Sequence, residues 1–388
     1  MLLETTARPD ATARSTPARL ATTARPTASA RSAETTSPVA GKLAGLTIGV
    51  VFGGANSEHA VSVGSARGVI PALRDAGATV RALGIDRHGI WHRVADADAL
   101  DALASHTEAD IEGILVGPAP YHLAGLDLVF PVIHGRGGED GLLQGVLELA
   151  RVPYVGCGVL ASALAMDKRA TFRMLRAAGL PVIETKSLRT ADDIPGALVD
   201  LTFPLFVKPN RAGSSVGASR VEHPGELVRA LDTALAEDSS ALIQPLARGE
   251  EVSIGVLQRR DGSLQASGPS RLVLGGTDTF FSYDGKYAGG QTHLQIPADL
   301  PDNLVARLQE LALAAFSELG CTGLARVDFF VDQTVSPAVI VINELNTMPG
   351  MGAKSHYPRL WQAAGIDYGD VLAELVHGAL APAALAGR

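Results

Sequence analysis

The sequence predicts an α/β protein in which a small parallel sheet flanked by helices is followed by two further units. Short β-branched runs that end in glycine alternate with segments of helical spacing over residues 43–160. A second unit begins near Met166, where a helix precedes the strand-like run FPLFVKP at 203–209. A third unit, from about residue 245, has two strong strands and a terminal helix.

The elements of the first unit follow one another at spacings typical of β/α alternation. Residues 47–54 (TIGVVFGG) predict a buried parallel strand, and residues 60–76 have helical spacing. Residues 126–135 (LDLVFPVIHG) predict another buried strand, which runs into a glycine-rich loop. The remaining predicted elements are a strand over 78–86, a helix over 141–150 and a strand over 152–156.

The first forty residues differ in composition from the rest of the chain. They consist mainly of Thr, Ala, Ser, Pro and Arg, with few large apolar side chains. Such a segment buries too little surface to offset its chain entropy, so we expect residues 1–42 to be a disordered tail. The tail also lacks the apolar region of a secretory signal.

Composition excludes several classes of protein. No run of about 18 uncharged apolar residues is present, so no membrane-spanning helix and no membrane partner are expected. A formal net charge of −8 argues against binding of nucleic acid by bulk charge. Two cysteines, Cys157 and Cys321, cannot form a disulfide framework, which favours a reducing compartment.

Two glycine-rich segments are candidate phosphate sites. Gly156–Ala161 (GCGVLA) matches the dinucleotide fingerprint, but Arg176 stands about twenty residues on, where an acidic residue belongs. The second segment, NRAGSSVG at 210–217, follows Lys208, one of only six lysines in the chain. A lysine suits a phosphate oxygen and a Gly/Ser loop can surround it with N–H groups. A surface turn with a solvated lysine is the alternative.

Polar side chains interrupt two apolar runs near the C-terminus. Arg326 and Asp328 are two residues apart and therefore share one face of a strand, as do Glu344 and Asn346. The short linker between the runs predicts antiparallel pairing. Two carboxylates and an amide oxygen are hard ligands suited to Mg²⁺. The alternative, a solvated outer face with cross-strand charge pairs, fits poorly beside so many Val, Ile and Phe residues.

Longer motifs extend this pattern over most of the chain. In order they are GGANSEHAVSV (53–63), HGRGGEDGLLQG (134–145), MDK (166–168), VKPNRAGSSVG (207–217), SYDGKYAGGQT (282–292), GLARVDFF (323–330), NELNTMPG (343–350) and SHYP (355–358). Together they resemble the ATP-grasp superfamily and, within it, the D-alanine–D-alanine ligases, from about residue 46 to residue 380.

The resemblance implies the ATP-grasp fold, an α/β (α+β) arrangement of three domains after the tail at 1–42. These are a Rossmann-like N-terminal domain at 43–160, a central ATP-grasp subdomain at 161–244 and a C-terminal subdomain at 245–388. The last two would clamp the nucleotide, and the C-terminal one would carry a lid loop and the metal site.

The resemblance also implies roles for individual residues in binding ATP and metal. The ATP-binding positions are Lys168 and Lys208 for the α- and β-phosphates, Ser214, Ser215, Gln244 near the adenine, Glu251 for the ribose and Lys286 of the lid for the γ-phosphate. Two Mg²⁺ ions, with Mn²⁺ as a substitute, would be held by Asp328, Glu344 and Asn346. Gln244 departs from the glutamate common in the family, but its amide oxygen can still accept a hydrogen bond.

A second set of positions resembles the substrate and catalytic residues of the family. Glu58 would receive the ammonium of the first D-alanine, with Ser214 and Tyr287 as its hydrogen-bonding partners. The remaining implied positions are His134 near the second substrate, Arg326 and the Gly350 N–H at the oxyanion, and Ser355 at a substrate carboxylate.

The implied activity is ATP-dependent joining of two D-alanines through an acyl phosphate, for peptidoglycan precursors in a bacterial cytoplasm, by a homodimer. D-serine or D-lactate as second substrate, or a specialised biosynthetic or antibiotic-protection pathway, is the close alternative. Lys286-Tyr287 favours a dipeptide, while Met351-Gly352 departs from the common Phe-Thr pair and is expected to widen the substrate pocket. A dinucleotide-dependent oxidoreductase and a catalytically silent nucleotide-binding protein are the more distant alternatives.

Overall fold

The computed structural model describes residues 41–94, 122–273 and 293–381. Residues 1–40 of the predicted tail, the predicted lid loop at 282–292 and the last seven residues lie outside the described residues. The prediction that the disordered tail extends to residue 42 is wrong at its end, because Lys42 pairs with Asp370 and its carbonyl contacts His377. No helix within the described ranges is long and apolar enough to cross a membrane.

The first sheet has four strands in the order β3-β2-β1-β4. They are β1 (Thr47–Gly53), β2 (Thr79–Ile85), β3 (Trp91–Val94) and β4 (Leu128–Pro131). β1 pairs in parallel with β2 and β4, as the β/α alternation predicts, and β3 adds an antiparallel edge. The strand predicted over 152–156 is reduced to a single parallel bridge between Tyr154 and Val129.

Helices cover both faces of this sheet, which gives the predicted Rossmann-like arrangement. Nearest in sequence are α1 (His59–Asp75), α2 (Leu142–Ala150), α3 (Val159–Met166) and α4 (Lys168–Ala177). One face packs against α1 and also against the two C-terminal helices, α8 (His356–Ala363) and α9 (Tyr368–Leu380). The opposite face packs against α2 and the segment around Tyr154.

The second sheet is antiparallel, with the order β5-β8-β6-β7. Its strands are β5 (Lys186–Leu188), β6 (Leu205–Pro209), β7 (Ser219–Val221) and β8 (Ala241–Pro245). One face is covered by α5 (Ile194–Leu198) and α6 (Leu227–Leu235), which bury Leu205, Val207 and Ile243. The other face is left to contribute to a cleft.

The third sheet follows the order β12-β11-β9-β13-β14, with β10 paired to β9. Its strands are β9 (Glu250–Gln258), β10 (Leu264–Ala266), β11 (Ser270–Val273), β12 (His293–Gln295), β13 (Leu324–Asp332) and β14 (Val339–Asn346). Alternate residues of β9 and β13, among them Ile254, Val327 and Phe329, pack on α7 (Asp302–Glu318). The intervening residues therefore point to the opposite face.

Each sheet is drawn from one of the three predicted segments, apart from Pro245 at the end of β8. The domain boundaries themselves stay a prediction. α8 and α9, which belong by sequence to the C-terminal segment, complete the core under the first sheet. This packing brings the turn after β14 next to α1, where several of the predicted site residues meet.

Candidate active site

A row of polar side chains crosses the open face of the third sheet. β13 and β14 pair antiparallel, as predicted, and the register places Arg326 opposite Asn346 and Asp328 opposite Glu344. On the other side of β13, Ser253 of β9 stands opposite Asp328. The structure therefore brings together the four residues that the two sequence runs predicted as one cluster.

The carboxylate of Asp328 accepts four hydrogen bonds and is 1% exposed. Arg326 donates Nε to Oδ1 at 2.7 Å and Nη2 to Oδ2 at 2.6 Å. Ser253 Oγ donates to Oδ1 at 2.6 Å and Asn346 Nδ2 to Oδ2 at 2.9 Å. Burial disfavours the charge on Arg326, but the carboxylates of Asp328 and Glu344 outweigh it, so the pKa of Arg326 is raised.

A β-bulge next to Asp328 shifts the alternation between core-facing and cleft-facing residues in β14. The register shifts between Asp328 and Phe329, which pair with Glu344 and Ile342, so Asn343 is the extra residue. Both Asn343 and Glu344 consequently line the same cleft. Asn343 Oδ1 accepts a hydrogen bond from Lys208 Nζ at 3.2 Å, which ties β14 to the second sheet.

The two predicted phosphate-binding lysines lie on either side of this row. Lys168 is the first residue of α4, and its Nζ donates to the carbonyl of Ala212 at 2.7 Å. The same Nζ lies 3.6 Å from Glu344 Oε2. Lys208, at the end of β6, approaches from the second sheet. The loop after β6 is therefore held close to both ammonium groups.

The lysines line a cleft of about 480 Å³ between the second and third sheets. That size is within the usual range for a small-molecule site. All six of the predicted ATP-binding positions that the structure describes line it: Lys168, Lys208, Ser214, Ser215, Gln244 and Glu251. Gln244 Nε2 donates to Thr185 Oγ1 at 2.7 Å, a contact that does not use the amide oxygen, and the predicted role of that oxygen towards adenine stays a prediction.

Glu58 occupies a narrow space between two glycines. Its Oε1 accepts a hydrogen bond from Ser214 Oγ at 2.6 Å. A Cβ built on Gly135 would lie 2.1 Å from Glu58 Oε2, and one on Gly213 would lie 2.8 Å from it. Ser214 and Ser215 both have positive φ, 52° and 59°, a conformation that is strained for residues other than glycine. The loop therefore holds a strained backbone at the residue that contacts Glu58.

His134 is buried, and both of its ring nitrogens contact the protein. Nδ1 is 2.9 Å from the carbonyl of Met348 and Nε2 is 2.8 Å from Ser65 Oγ. Burial lowers the pKa of His134, although the nearby Glu58 carboxylate opposes this shift. In this arrangement neither nitrogen is left to contact a second substrate directly.

Glu139 is a functional candidate that the sequence analysis did not single out. Its Oε2 accepts the N–H of Gly135 at 2.6 Å and its Oε1 that of Met348 at 3.0 Å. Burial and the charge of Glu58 raise the pKa of Glu139 to about 8. Ser65, Ser253 and Asn343 were missed as well. The period-2 alternation from Glu251 along β9 points to Ser253, and Glu139 lies within the HGRGGED motif.

Gly350 and Ser355 lie together beside the end of β14. The Ser355 hydroxyl makes no capping hydrogen bond to α8. A Cβ built on Gly350 would lie 3.3 Å from Ser355 Oγ, so the hydroxyl faces the turn. The side chain of Met351 is fully buried in the core with α1 and α9, and the widening expected from Met351-Gly352 stays a prediction. Lys286 and Tyr287 lie outside the described residues.

Comparisons with known proteins identify the family. The profile described as D-ala D-ala ligase N-terminus matches residues 47–157, and that described as D-ala D-ala ligase C-terminus matches residues 174–377. The chain belongs to the D-alanine–D-alanine ligase family. A D-alanine–D-alanine ligase of Mycolicibacterium gilvum is 42% identical over 364 residues, covering 87% of this chain and 98% of that protein. D-alanine–D-alanine ligase A of Chromobacterium violaceum is 39% identical over 356 residues, covering 86% and 95%.

Solved structures of ligases share the fold. The VanG D-Ala:D-Ser ligase from Enterococcus faecalis is 31% identical with a TM-score of 0.74, and covers 86% of this chain and 99% of its own. The D-alanine–D-alanine ligase from Coxiella burnetii is 31% identical with a TM-score of 0.73, and covers 86% and 94%. The predicted ATP-grasp fold and enzyme class are thereby confirmed, and membership of this ligase family implies the use of ATP. The roles of individual residues stay predictions.

The dinucleotide alternative has no support in a chain of the D-alanine–D-alanine ligase family. Thr322 Oγ1 donates to the carbonyl of Gly156 at 2.8 Å, and Cys157 is buried against the third sheet. A Cβ on Gly323 would lie 3.1 Å from the Gly156 nitrogen. The GCG segment is thus packed against protein backbone, where a pyrophosphate would have to approach.

Proposed function

We propose that this chain joins two D-alanines into D-alanyl-D-alanine with hydrolysis of ATP, as a supplier of peptidoglycan precursors in a bacterial cytoplasm. The observation that carries the proposal is that two groups of polar residues lie next to each other. The lysines and carboxylates of the cleft fit a nucleoside triphosphate, and the Glu58–Ser214 pair lies at the adjoining loop. The family match supports the same conclusion.

Condensation requires that the first D-alanine be activated. A carboxylate does not react with an amine in water, so its oxygen first attacks the γ-phosphate of ATP to give an acyl phosphate and ADP. Phosphoryl transfer depends on positioning and on neutralisation of charge. We assign Lys168 and Lys208 to supply positive charge at the phosphates, and Glu58 to hold the ammonium of the first D-alanine.

We assign the oxygen ligands of Mg²⁺ by residue type, and at Asp328 the ion would take the place of one of the four hydrogen-bond donors. Asp328 and Glu344 supply carboxylates, and Asn346 donates its amide N–H₂ to Asp328, so its amide oxygen is turned away from that carboxylate. No group of three His, Cys, Asp or Glu side chains suited to a metal was found in the described ranges. Magnesium commonly takes only one or two protein carboxylates and completes its shell with phosphate oxygens and water. When bound, the two ions would neutralise charge on the transferred phosphoryl group.

The second step is attack of the second D-alanine amine on the acyl phosphate. The tetrahedral intermediate carries an oxyanion that needs hydrogen-bond donors, and loss of one donor typically costs about 3 to 4 kcal/mol. Arg326 uses Nε and Nη2 on Asp328, and within the described chain its Nη1 has no protein partner. We assign Nη1 and the Gly350 N–H to the oxyanion, and Ser355 to the carboxylate of the second substrate.

D-serine as the second substrate is the runner-up. One of the structural relatives, VanG from Enterococcus faecalis, is a D-Ala:D-Ser ligase and is 31% identical to this chain. Because the side chain of Met351 is withdrawn into the core, it gives no support for a widened pocket. D-alanine therefore stays the first choice.

A substrate panel tests the proposal. The purified chain is incubated with ATP and Mg²⁺ plus D-alanine, L-alanine, D-alanine with D-serine, or D-alanine with D-lactate, and products are identified by mass. ADP, phosphate and D-alanyl-D-alanine from D-alanine alone are expected. Preferential formation of a mixed product would instead identify the chain as a ligase of D-alanine with D-serine or D-lactate. ATP stable in every mixture would refute the ligase.

We also propose a homodimer, through the surface formed by α2 and α3. These helices contact each other, and their outer faces expose Leu142 (64%), Leu149 (87%) and Leu160 (72%). Clustered exposed leucines are typical of protein–protein contact surfaces. Leu149→Glu is expected to shift the mass measured by light scattering from dimer to monomer, and Val228→Glu, at an exposed position on α6, should not. An unchanged dimer in Leu149→Glu would refute this surface.

A further inference from the structure

The turn that follows β14 is anchored by three side chains from the N-terminal part of the chain. Glu139 Oε1 accepts the N–H of Met348 and His134 Nδ1 contacts the carbonyl of the same residue. The N–H of Met351 donates to Ser65 Oγ at 3.3 Å. Met348 and Met351 bury their side chains in the core under the first sheet. Both ends of the turn 348–351 are thus fixed from α1 and from the loop after β4.

The Ser65 hydroxyl donates one hydrogen bond and accepts another. A carbonyl only accepts, so His134 carries its proton on Nδ1, and its neutral ring leaves Nε2 as an acceptor. The proton between Ser65 and His134 therefore belongs to the Ser65 hydroxyl, which donates to Nε2. The lone pairs of Ser65 Oγ are left for the N–H of Met351. Ser65 is 3% exposed and His134 is 4% exposed, so water does not replace these contacts easily.

Close backbone packing makes the turn sensitive to α1. Gly68 lies on α1, one helical turn after Gly64. A Cβ built on Gly68 would lie 2.9 Å from the Gly352 Cα and 3.1 Å from the Ala353 nitrogen. α1 therefore contacts the segment on the far side of Gly350 as well. A small shift of this helix surface would displace Gly350, because the residues on both sides of it are held.

We propose that Ser65 is a positioning residue for the second chemical step, in which the amine attacks the acyl phosphate. Its hydroxyl fixes His134 and the N–H of Met351 together, and thereby holds the Gly350 N–H in place. The inference rests on the proposed function, in which Gly350 serves the oxyanion. Ser65 touches neither ATP nor the lysines of the cleft, so phosphoryl transfer should proceed without it.

The ratio of ADP released to dipeptide formed separates the two steps. In Ser65→Ala the acyl phosphate still forms, but slow attack by the amine leaves it to be hydrolysed by water to D-alanine and phosphate. A misplacement of about 1 Å can reduce turnover by two decades, so kcat for dipeptide should fall about 10- to 100-fold. More than two ADP should then appear per dipeptide, against one in the unmodified enzyme, with KM for ATP unchanged.

Ser62→Ala is the matched control on the same helix. Ser62 is equally buried and its Oγ donates to the carbonyl of Val132 at 2.5 Å and accepts the N–H of Gly53 at 2.8 Å, but it makes no hydrogen bond to the turn. This variant should lose stability in thermal melts and keep one ADP per dipeptide. Ser65→Thr, which retains the hydroxyl, should bring the ratio of ADP released to dipeptide formed back towards one.

Three outcomes decide the matter. A ratio of one in Ser65→Ala, with dipeptide and ADP reduced together as in Ser62→Ala, would overturn the inference and leave a purely structural role. If Ser65→Ala does not fold, the nearly isosteric Ser65→Cys carries the same test, because a thiol is a weak hydrogen-bond partner. Absence of dipeptide from the unmodified enzyme would refute the proposed function itself, and this inference with it.

Discussion

The space around the Glu58 carboxylate allows a sharp test of its role. A Cβ added at Gly213 would lie 2.8 Å from Glu58 Oε2, whereas ordinary van der Waals contact begins at 3.4 Å, so the carboxylate must move by about 0.6 Å. It is the end of a flexible side chain and can move at little cost in stability. That movement would disturb its 2.6 Å hydrogen bond with Ser214. Gly213→Ala should therefore impair binding of the first D-alanine far more than it impairs folding.

The expected magnitude follows from the kind of interaction that is disturbed. Hydrogen bonds to charged groups contribute about 1.5 to 3 kcal/mol, which corresponds to about 10- to 100-fold in kcat/KM for the first D-alanine. KM for ATP and the melting temperature should change little. The assay is ADP release at varied D-alanine with saturating ATP, beside thermal denaturation. Gly196→Ala is the control, because Gly196 is exposed on α5 and no atom outside its own helix lies within 4 Å of the added Cβ. Unchanged kinetics in Gly213→Ala, or an equal loss for ATP, would refute the assignment of Glu58 to the first substrate.

Three further predictions concern charge. Glu344→Gln should reduce turnover more than about 100-fold and weaken Mn²⁺ binding measured by electron paramagnetic resonance, because it removes one of the two carboxylates that we propose as metal ligands; near-normal Mn²⁺ binding would contradict the metal assignment. The pKa of Glu139 rises on folding from 4.5 to about 8, so the folded chain keeps a proton that the unfolded chain loses, and the free energy of unfolding falls as pH rises between about 5 and 8. Glu139→Gln should remove that slope, on the order of 2 to 3 kcal/mol after allowance for partial exposure, in urea titrations at pH 5.5 and 8; an identical slope in both proteins would count against it. Both cysteines are buried, and a hydrogen bond with Cys157 together with burial raises the pKa of the Cys321 thiol; because burial shields both thiols, neither should react with a disulfide reagent at pH 8 until urea unfolds the chain, and prompt reaction of the native protein would show the thiols to be accessible.

Much of the fold could be predicted because each element carries a regular pattern. The parallel strands β1 and β4 are continuous apolar runs, and α1 and α2 have clear helical spacing. β3 was missed because a four-residue edge strand carries little periodicity. The packing of α8 and α9 against the first sheet is a long-range contact, which local patterns do not encode.

The candidate site was predicted where two residues share one strand face, as Arg326 and Asp328 do. The residues that were missed act through contacts between distant segments. Ser65 lies in the middle of α1, where a serine has no local signal, and its importance comes only from its proximity to His134 and Met351. Glu139 could likewise be identified only from the three-dimensional structure, because a carboxylate in a glycine-rich loop is ordinarily solvated.

The bulge at Asn343 lets the length of β14 change by one residue in evolution. Ile340 and Ile342 before it, and Leu345 after it, all pack on the core, although they differ in parity. A strand alternates with a period of two, so only the extra residue reconciles these positions with a cleft-facing Glu344. Point substitutions within the strand leave that phase intact. Deletion of Asn343 alone would restore an unbroken ladder with Ile342 still on the core and Glu344 still facing the cleft. Such a deletion would therefore keep the carboxylate in the site and lose only the side chain that Lys208 contacts.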